Sequence, residues 1–393
     1  MGAREKILIL TGSLGDGHNQ AAKAIMEGMR VYRPDVEVRI VDYLAWAHPH
    51  LHGVGTFCYM QWVKSLPSVY GFLYRRTRQD NALSQLFKKI KSFNTDRMLA
   101  LLEQEAPTEV VCTFPGAAAA MSYLKINGYT TVPTVTVITD YTDHSYWVHP
   151  GTDRYLVGAE HVKKALLRHR VPEARIVVTG IPIRMPFMQA YDRDALREKY
   201  GLACDLPTVL VMGGGHGLIG KSFKSVLQAR ELAEPVQFVF VCGRNEKLKA
   251  QLEAEIAEAR THHRLMVTGF VDHVHELMAL SDLIVTKPGG LTVSEALAQE
   301  LPMLLYKPIP GQEQGNAAYL EAYGAAIQVK NTAGLRRGLS EVVTDQSMLQ
   351  SLRENARRIR READMRQALD AILATRHHFI PVHDGQLLSY ANV

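Results

Sequence analysis

Short apolar runs alternate with amphipathic segments along most of the chain. In the first half, apolar runs predict strands and segments with apolar residues every three to four positions predict helices. The predicted strands are 6–11, 36–41, 109–113, 134–139, 154–157 and 176–179, and the predicted helices are 19–31, 96–105 and 160–169. Strands that alternate with helices in this way are typical of α/β proteins with parallel sheets.

The same alternation restarts after residue 205. A strand at 208–212 is followed by a glycine-rich stretch and a helix from about 221 to 232. Further strands are predicted at 236–242, 265–268, 283–286 and 303–306, and further helices at 246–260, 273–280 and 291–299. A helix-rich end is predicted from 334 to about 376.

A unit of strand, glycine loop and helix therefore occurs twice, at 7–31 and 208–232. This repetition predicts an α/β fold with two Rossmann-like domains in tandem that face each other across a cleft, a natural place for a ligand. We expect domains at 1–185 and 186–375, joined near 182–205, with 376–393 as a candidate to pack back on the first domain.

Composition narrows the class of protein. The 393 residues are 47% hydrophobic and 22% charged, as in globular proteins, which excludes disorder, collagen and coiled coil as the main content. No apolar run approaches the ~18 residues of a membrane span, and the first residues predict no secretory signal. Four cysteines without a CxxC spacing indicate free thiols in a reducing cytosol.

The net charge of +5 is unevenly distributed. Residues 43–93 contain seven basic side chains and one acidic side chain, a local charge of +6, so the rest of the chain is nearly neutral. The same segment contains ten of the 30 aromatic residues. Such a mixture is compatible with RNA binding, with a membrane-surface helix, or with helices that simply pack together.

The details favour a membrane surface. Two segments, 56–66 and 83–93, show helical periodicity with aromatic side chains, and basic side chains lie opposite the apolar face of the second. Basic faces beside Trp and Phe are attracted to anionic bilayers. No RNP-type aromatic motif is present, so we expect no nucleic-acid partner. The candidate membrane residues are Trp62, Arg75, Arg76, Phe87, Lys88 and Lys89.

Two glycine-rich loops indicate phosphate binding. Residues 215–222 fit the P-loop pattern, ending in Gly220-Lys221-Ser222. A P-loop NTPase also needs an acidic residue at the end of a later strand to hold magnesium. The later predicted strands end without one, so we disfavour an NTPase. Backbone N–H groups at a helix start bind anions with or without a lysine.

The stretch 286–298 has a second pair of glycines between a strand and a helix. Gly289 and Gly290 allow a diphosphate to approach the backbone, Thr292 adds a hydroxyl, and Glu295 suits a ribose diol. The stretch 307–316 is predicted to be a polar loop, whose amides and carboxylate suit sugar hydroxyls. The alternatives are a capped helix for the first stretch and a solvated loop for the second.

At this point the residues carry a family resemblance. Gly289-Gly-Leu-Thr-x-x-Glu, followed by Pro310-Gly-Gln-Glu-Gln-x-Asn, resembles the nucleotide-sugar site of GT-B glycosyltransferases. More narrowly it resembles the diacylglycerol glucosyltransferases and monogalactosyldiacylglycerol synthases, which are related to the bacterial lipid-II-forming GlcNAc transferase. The loops at 11–18 and 213–217 match that family, so the resemblance covers about residues 4–375.

The resemblance implies a UDP-hexose donor, a diacylglycerol acceptor and a peripheral enzyme on the cytoplasmic face of the cell membrane. Among the hexoses we expect glucose. We also expect that the transfer inverts the anomeric configuration and needs no metal or other cofactor. The rivals are another lipid or polyprenyl acceptor and a non-enzymatic UDP-sugar sensor. The implied donor-binding residues are Gly214, Gly215, Gly243, Arg244, Asn245, Phe270, Val271, Gly289, Gly290, Thr292, Glu295, Gln312, Glu313, Gln314 and Asn316.

The reaction also needs a base for the acceptor hydroxyl. His18 follows Gly15 and Gly17 at a predicted helix start, and an unperturbed imidazole titrates near neutral pH. A lone histidine there could equally cap or pack the helix, and the resemblance favours the base. Asp140 follows a strand and is expected to orient that base. We expect Gly15 and Gly17 on the acceptor side, and no metal site among the nearby histidines.

Overall fold

The chain forms two units, each built around a six-stranded parallel sheet. A computed structural model describes residues 5–13, 15–49, 67–78, 81, 94–213, 232, 234–258, 261–361 and 363–378. The first unit contains 1–185 and 362–393, and the second contains 186–361. The expected α/β fold of two Rossmann-like domains in tandem is confirmed.

The first sheet has the order β2-β1-β3-β4-β5-β6 with every neighbouring pair parallel. Its strands are β1 (Lys6–Thr11), β2 (Glu37–Asp42), β3 (Glu109–Cys112), β4 (Thr134–Val137), β5 (Arg154–Val157) and β6 (Ile176–Val178). All residues of β3 and β4 are buried, because helices cover both faces of a parallel sheet.

Helices of the first unit connect these strands. They are α1 (Asp16–Tyr32), α2 (Tyr43–Ala47), α3 (Pro67–Thr77), α4 (Thr95–Glu105), α5 (Pro115–Ile126) and α6 (Glu160–Arg168), with 3₁₀ turns at Ser145–Trp147, Glu173–Arg175 and Met185–Met188. Small and apolar residues of α1, including Ala21, Ala22 and Ile25, recur at helical spacing and are buried. This amphipathic pattern fixes which face of α1 covers the sheet.

The second sheet has the order β12-β11-β10-β7-β8-β9, again with parallel neighbours. Its strands are β7 (Thr208–Met212), β8 (Gln237–Val241), β9 (Arg264–Thr268), β10 (Leu283–Thr286), β11 (Met303–Tyr306) and β12 (Ala326–Val329). The helices are α7 (Arg193–Lys199), α8 (Glu246–Glu258), α9 (Val274–Leu280), α10 (Gly290–Ala298), α11 (Gln312–Ala322), α12 (Thr332–Thr344) and α13 (Gln346–Arg360).

Several elements differ from the expectations. Helix α5 has a run of alanines and is apolar on most of its surface, so it lacks the polar face that marks an amphipathic helix. Strand β12 and helices α2 and α7 are short, and the sequence analysis did not predict them. No helix among the described residues is long and apolar enough to span a membrane.

The last helix, α14 (Met365–Ala374), groups with the first unit, whereas the expected second domain extended to 375. Met365 and Leu369 pack against Gly28 of α1, which presents no side chain at the contact. The guanidinium of Arg154 donates to the carbonyl oxygen of Ala371 at 2.9 Å. Arg376, in the 3₁₀ turn Thr375–His378 after α14, pairs with Glu5 at 2.7 Å. These contacts move the boundary to residue 361.

Glu109, the first residue of β3, is an unusual buried acid. Its side chain is fully buried, and neither carboxyl oxygen has a hydrogen-bond partner among the described residues. The nearest cation is the Arg376 guanidinium, with Nε 3.8 Å from Oε2. Burial raises the pKa of Glu109 to about 9, which Arg376 and Arg154 only partly counteract. Glu109 is therefore a neutral carboxylic acid at pH 7.

This raised pKa predicts the pH dependence of stability. The folded state binds the Glu109 proton more tightly than the unfolded state, so its contribution is complete at low pH and is lost as pH rises through about 9. The neutral substitution Glu109→Gln removes this dependence, and we expect it to stabilise the protein at pH 8 relative to wild type by roughly 1 to 3 kcal/mol. Thermal unfolding at pH 6 and pH 8 measures the effect.

The matched control is Glu103→Gln, which changes an exposed acid of α4. It should leave the difference between the two pH values as in wild type. An equal pH dependence in Glu109→Gln and wild type would show that Glu109 is ionised in the folded state.

Candidate active site

The order of the first sheet creates a crevice at the carboxyl ends of its strands. Strand β1 pairs with β2 on one side and β3 on the other, so the connections after β1 and β3 depart in opposite directions. In open α/β sheets, ligands bind at this switch point. The loop after β1 and Phe114, just after β3, lie at this position.

The crevice is tightly packed at its base. A Cβ at Gly12 would lie 2.7 Å from the ring of Phe114, so only glycine fits this close approach. The same Phe114 ring contacts the imidazole of His18 edge-on, with ring centroids 5.4 Å apart. The glycine after β1 is therefore needed for packing beside the site.

His18 lies in the first turn of α1, directly after Gly17, and it is half-buried. A second aromatic ring, Trp147, has its centroid 6.0 Å from that of the imidazole. Burial lowers the pKa of His18 to about 4, and a hydrogen bond with the backbone of Thr113 counteracts this only in part. The imidazole is therefore neutral at pH 7, as a general base must be.

Thr139 holds the ring of His18. Its hydroxyl oxygen lies 3.1 Å from Nδ1 of the imidazole. In the tautomer whose Nδ1–H donates to Thr139, Nε2 carries the lone pair that accepts a proton. The expected orienting residue, Asp140, is the next residue in the chain after Thr139 and is half-buried.

The nearby polar side chains on the acceptor side are engaged in structural bonds. Asp143 accepts from Arg78 at 2.6 Å and lies 3.1 Å from His169 Nε2. Burial alone would raise the pKa of Asp143, but the hydrogen bonds from His169 and Arg78 outweigh it and hold the pKa well below its usual range. His144 Nδ1 accepts from the backbone N–H of Tyr146, so this nitrogen is not available to a metal.

Helix α3 carries the described part of the basic segment. Arg75 and Arg76 are exposed, and the Arg76 guanidinium lies 5.3 Å from the ring of Phe72, itself 50% exposed. The carbonyl oxygen of Thr77, the last residue of α3, accepts from the Ser145 hydroxyl at 2.7 Å. The other predicted membrane residues, Trp62, Phe87, Lys88 and Lys89, lie outside the described residues.

The second sheet has the same kind of switch point. Strand β7 pairs with β8 on one side and β10 on the other. The loops after β8, β9, β10 and β11 follow the carboxyl ends of parallel neighbours, so they lie along one edge. Gly214 and Gly215, predicted to bind the donor after β7, lie outside the described residues.

The loops after β8 and β9 meet, as the family resemblance implies for a base-binding position. The guanidinium of Arg244 lies 4.8 Å from the ring centroid of Phe270, and this ring is 52% exposed. The Asn245 side chain accepts from the backbone N–H of Leu248 and so caps α8. Arg244 and the half-exposed Phe270 therefore lie together at the carboxyl edge of the second sheet.

The helix α10 begins at the switch point. Gly289 is its N-cap, and no atom of the described residues lies within 4 Å of the position that a Cβ would take there. The first N–H groups of a helix lack intrahelical partners and carry partial positive charge, so they attract a phosphate. Thr292 and Glu295 follow Gly290 within the helix and are half-buried.

The stretch 307–316 was expected to form a loop throughout. The structure differs, because helix α11 begins at Gln312. Gly311 has φ 112°, a conformation that favours glycine, and the side chain of Gln314 accepts from its N–H at 3.4 Å. The polar residues that suggested a loop are the capping residues of a helix. Gln312 is half-buried and Gln314 exposed.

Two predicted sugar-facing residues bind the protein itself. Glu313 accepts from Lys287 Nζ at 3.2 Å and from the backbone N–H of Ile309 at 2.7 Å. Asn316 is fully buried and donates to the carbonyl oxygen of Pro288 at 3.0 Å. Asn316 therefore positions the glycine loop, and its predicted donor contact stays a prediction.

Sequence reasoning missed four residues of these sites. Three of them, Phe114, Thr139 and Lys287, lie just after the end of a strand. The sequence could have indicated them by this position, because residues that follow parallel strands lie together at the carboxyl edge of the sheet. Trp147 lies in the segment 140–149 that the sequence analysis singled out, but its ring contact with His18 depends on tertiary structure.

Comparisons with known proteins agree with this architecture. The family described as monogalactosyldiacylglycerol (MGDG) synthase matches residues 18–183, and the family described as glycosyl transferases group 1 matches residues 192–359. A processive diacylglycerol beta-glucosyltransferase of Bacillus cereus (strain AH187) is 33% identical over 387 residues, which is 97% of each chain.

Solved structures show the same fold at low sequence identity. MurG of Acinetobacter baumannii aligns with a TM-score of 0.61 and 15% identity over 94% of this chain and 99% of its own. A UDP-GlcNAc 2-epimerase from Neisseria meningitidis, bound to UDP-GlcNAc, aligns with a TM-score of 0.60 and 15% identity over 94% of this chain and 99% of its own. Because this epimerase and the glycosyltransferase SnogD from Streptomyces nogalater, which aligns with a TM-score of 0.60 and 17% identity over 95% of this chain and 100% of its own, share the fold, the fold alone does not decide the reaction.

The full-length relative decides the family. Its alignment covers 97% of this chain and therefore extends through both units. The chain belongs to the family of glycosyltransferases that contains the diacylglycerol β-glucosyltransferases and the monogalactosyldiacylglycerol synthases.

Proposed function

We propose that the protein transfers glucose from UDP-glucose to the free hydroxyl of diacylglycerol, with inversion at the anomeric carbon and without a metal. The 33% identity to a diacylglycerol beta-glucosyltransferase over 97% of the chain carries this proposal. Two features of the described residues support it. One is a neutral histidine at the first switch point, and the other is a helix N-terminus at the second.

The second unit holds the donor. The N–H groups at the start of α10 receive the diphosphate, and the ion pair between Lys287 and Glu313 holds the loop just before Gly289. Arg244 and Phe270 receive the uracil, and Glu295 accepts from the ribose hydroxyls. The fixed dipoles at this helix N-terminus stabilise the charge that develops on the leaving UDP, so a metal is not required.

The first unit activates the acceptor. His18 Nε2 takes the proton of the diacylglycerol hydroxyl while the oxygen forms a bond to the anomeric carbon. The bond from that carbon to the UDP oxygen breaks, and UDP leaves with the electron pair. Thr139 holds the imidazole during the transfer. A single displacement on an α-linked donor gives a β-linked glucose.

The acceptor is a lipid, so the enzyme must work at a membrane surface. Helix α3 exposes Phe72, Arg75 and Arg76 on the described part of a segment with charge +6. Cationic side chains near an anionic membrane contribute about 1 kcal/mol each, and an exposed aromatic ring adds apolar contact. We infer peripheral attachment at the cytoplasmic face of the cell membrane, where UDP-sugars are available.

The proposed reaction predicts a specific product. Purified enzyme incubated with UDP-glucose and diacylglycerol vesicles should form a β-glucosyl lipid, and a chelator of divalent metals should leave the rate within about twofold. Mass spectrometry and proton NMR of the extracted lipid identify the sugar, its linkage and the number of units. UDP-galactose and a polyprenyl phosphate acceptor are the comparison substrates. Absence of a glycolipid with UDP-glucose would refute the proposal.

Removing the base should abolish transfer but not donor binding. We expect His18→Ala to lower kcat by about 10²- to 10⁴-fold, the usual contribution of a general base, with UDP affinity unchanged. Glu295→Ala should instead weaken UDP binding on the order of tenfold, because a ribose contact is lost. Steady-state kinetics and calorimetry with UDP separate the two effects.

The pH profile tests the same residue. Because the pKa of His18 is about 4, wild-type kcat/KM should stay constant from pH 8 to pH 6, where an ordinary histidine would already lose its basic form. His262→Ala changes an exposed histidine and serves as the matched control. A wild-type rate in His18→Ala would assign the base to another residue.

Membrane attachment predicts a salt effect. On vesicles with anionic lipid, activity should fall between roughly 0.05 and 0.5 M salt, because counterions screen the basic face. The double substitution Arg75→Gln/Arg76→Gln should reduce vesicle binding roughly 30-fold, at about 1 kcal/mol for each charge. Vesicle cosedimentation measures the binding.

The matched control is Arg337→Gln/Arg358→Gln, which removes two exposed arginines of the second unit. It should bind vesicles as wild type does. Equal loss in both double variants would indicate a general charge effect and would contradict a docking role for α3.

A further inference from the structure

Two histidines and a glutamate come together at the start of helix α9. The ligand atoms of His273, His275 and Glu276 lie within 4.8 Å of one another. Imidazole nitrogens and a carboxylate oxygen are the ligands of zinc and related ions. None of the three side chains has a role in the proposed transfer.

The carboxylate of Glu276 is fixed by two donors. Both Lys199 Nζ and the Tyr200 hydroxyl donate to Oε2, each at 2.6 Å. Oε1 accepts no hydrogen bond among the described residues and is available to a ligand.

The imidazole of His275 is held by aromatic neighbours. Its ring centroid lies 5.8 Å from that of Phe187 and 5.6 Å from that of Tyr191. The ring of His273 lies 5.9 Å away at an interplanar angle of 85°. His273 is exposed, so its side chain can rotate toward a bound ion. His275 is therefore held by packing and Glu276 by hydrogen bonds, whereas the side chain of His273 can change its position.

We propose that His273, His275 and Glu276 bind a divalent transition-metal ion of the zinc class, with water completing its coordination. Zinc bonds of ~2.1 Å in a tetrahedron separate ligand atoms by roughly 3.4 Å. The three ligand atoms lie within 4.8 Å of one another, and the exposed side chain of His273 can rotate as an ion binds. Lys199 and Tyr200 orient the carboxylate, as outer-layer groups do in metal sites.

Nearby positive charge limits the affinity of this site for a metal cation. The N-terminus of α9 and the ammonium of Lys199 both oppose a cation, and only the single charge of Glu276 attracts it. We therefore expect micromolar rather than nanomolar binding. Bound there, the ion fixes the turn between β9, whose loop carries Phe270, and α9.

Metal titration of the full chain, purified without a polyhistidine tag and stripped with a chelator, tests the site. Calorimetry should show one equivalent of Zn²⁺ bound with micromolar affinity, and Co²⁺ should give the visible absorption of a histidine-ligated ion. His273→Ala should weaken zinc binding at least tenfold and remove the Co²⁺ absorption. The exposed position of His273 makes this substitution compatible with folding.

The matched control is His262→Ala, which removes an exposed histidine of the same unit and should retain the wild-type titration. Glu276→Gln gives a second test, because it removes the only anionic ligand and should also weaken binding. Absence of a saturable equivalent in wild type would overturn the proposal. So would a titration of His273→Ala that matches wild type.

Discussion

The reversal of strand order within each parallel sheet is the constraint on which both sites depend. A parallel strand needs a crossover connection, and helices from these connections cover both faces of the sheet. On the two sides of β1 the connections run in opposite directions, and the same happens on the two sides of β7. A crevice must then open at the carboxyl edge of each sheet, and the residues that follow the strands line it.

The two crevices differ in chemistry because different residues follow the strands. In the first, Phe114 and Trp147 surround His18, and burial among aromatic rings penalises the charged imidazolium. In the second, the N-terminus of α10 favours a negative charge. One crevice therefore keeps an imidazole neutral, and the other presents helix N–H groups that attract an anion. A reaction that removes a proton from one substrate and releases a diphosphate from another needs both environments.

The sequence predicted the elements whose pattern is local. Strands β1, β5, β7, β10 and β11 have the predicted bounds, since each is a short apolar run. Helix α5 lacks a polar face, and the first residues of α11 are polar capping residues that resemble a loop. Neither helix was therefore predicted from the helical periodicity of apolar residues. The position of α14 was missed for a different reason. Its contacts with Gly28 and Arg154 join residues that are more than 200 positions apart, which no local pattern records.

For the sites, the sequence identified residue types and positions but not partners. Arg244 and Phe270 follow two strands that are neighbours in the sheet, β8 and β9. Their contact results from this strand order, which the sequence analysis did not predict. The burial of Asn316 and the ion pair between Lys287 and Glu313 depend on how two loops pack, and composition suggested sugar contacts instead. Where a polar residue follows a strand, its neighbours decide whether it binds a ligand or holds a loop.

Helix α3 connects the basic segment of the chain to the neighbourhood of His18. Its exposed side carries Arg75 and Arg76, while its C-terminal end is bonded to the segment that follows β4. Arg78, just beyond the helix, pairs with Asp143, and the Thr77 hydroxyl lies 3.3 Å from His144 Nε2. That segment begins directly after Thr139, which holds the ring of His18. Helix α3 is therefore bonded to the segment that directly follows Thr139, the residue that holds the ring of His18. Under the proposed function, a membrane bound to the basic side of α3 would act on that segment.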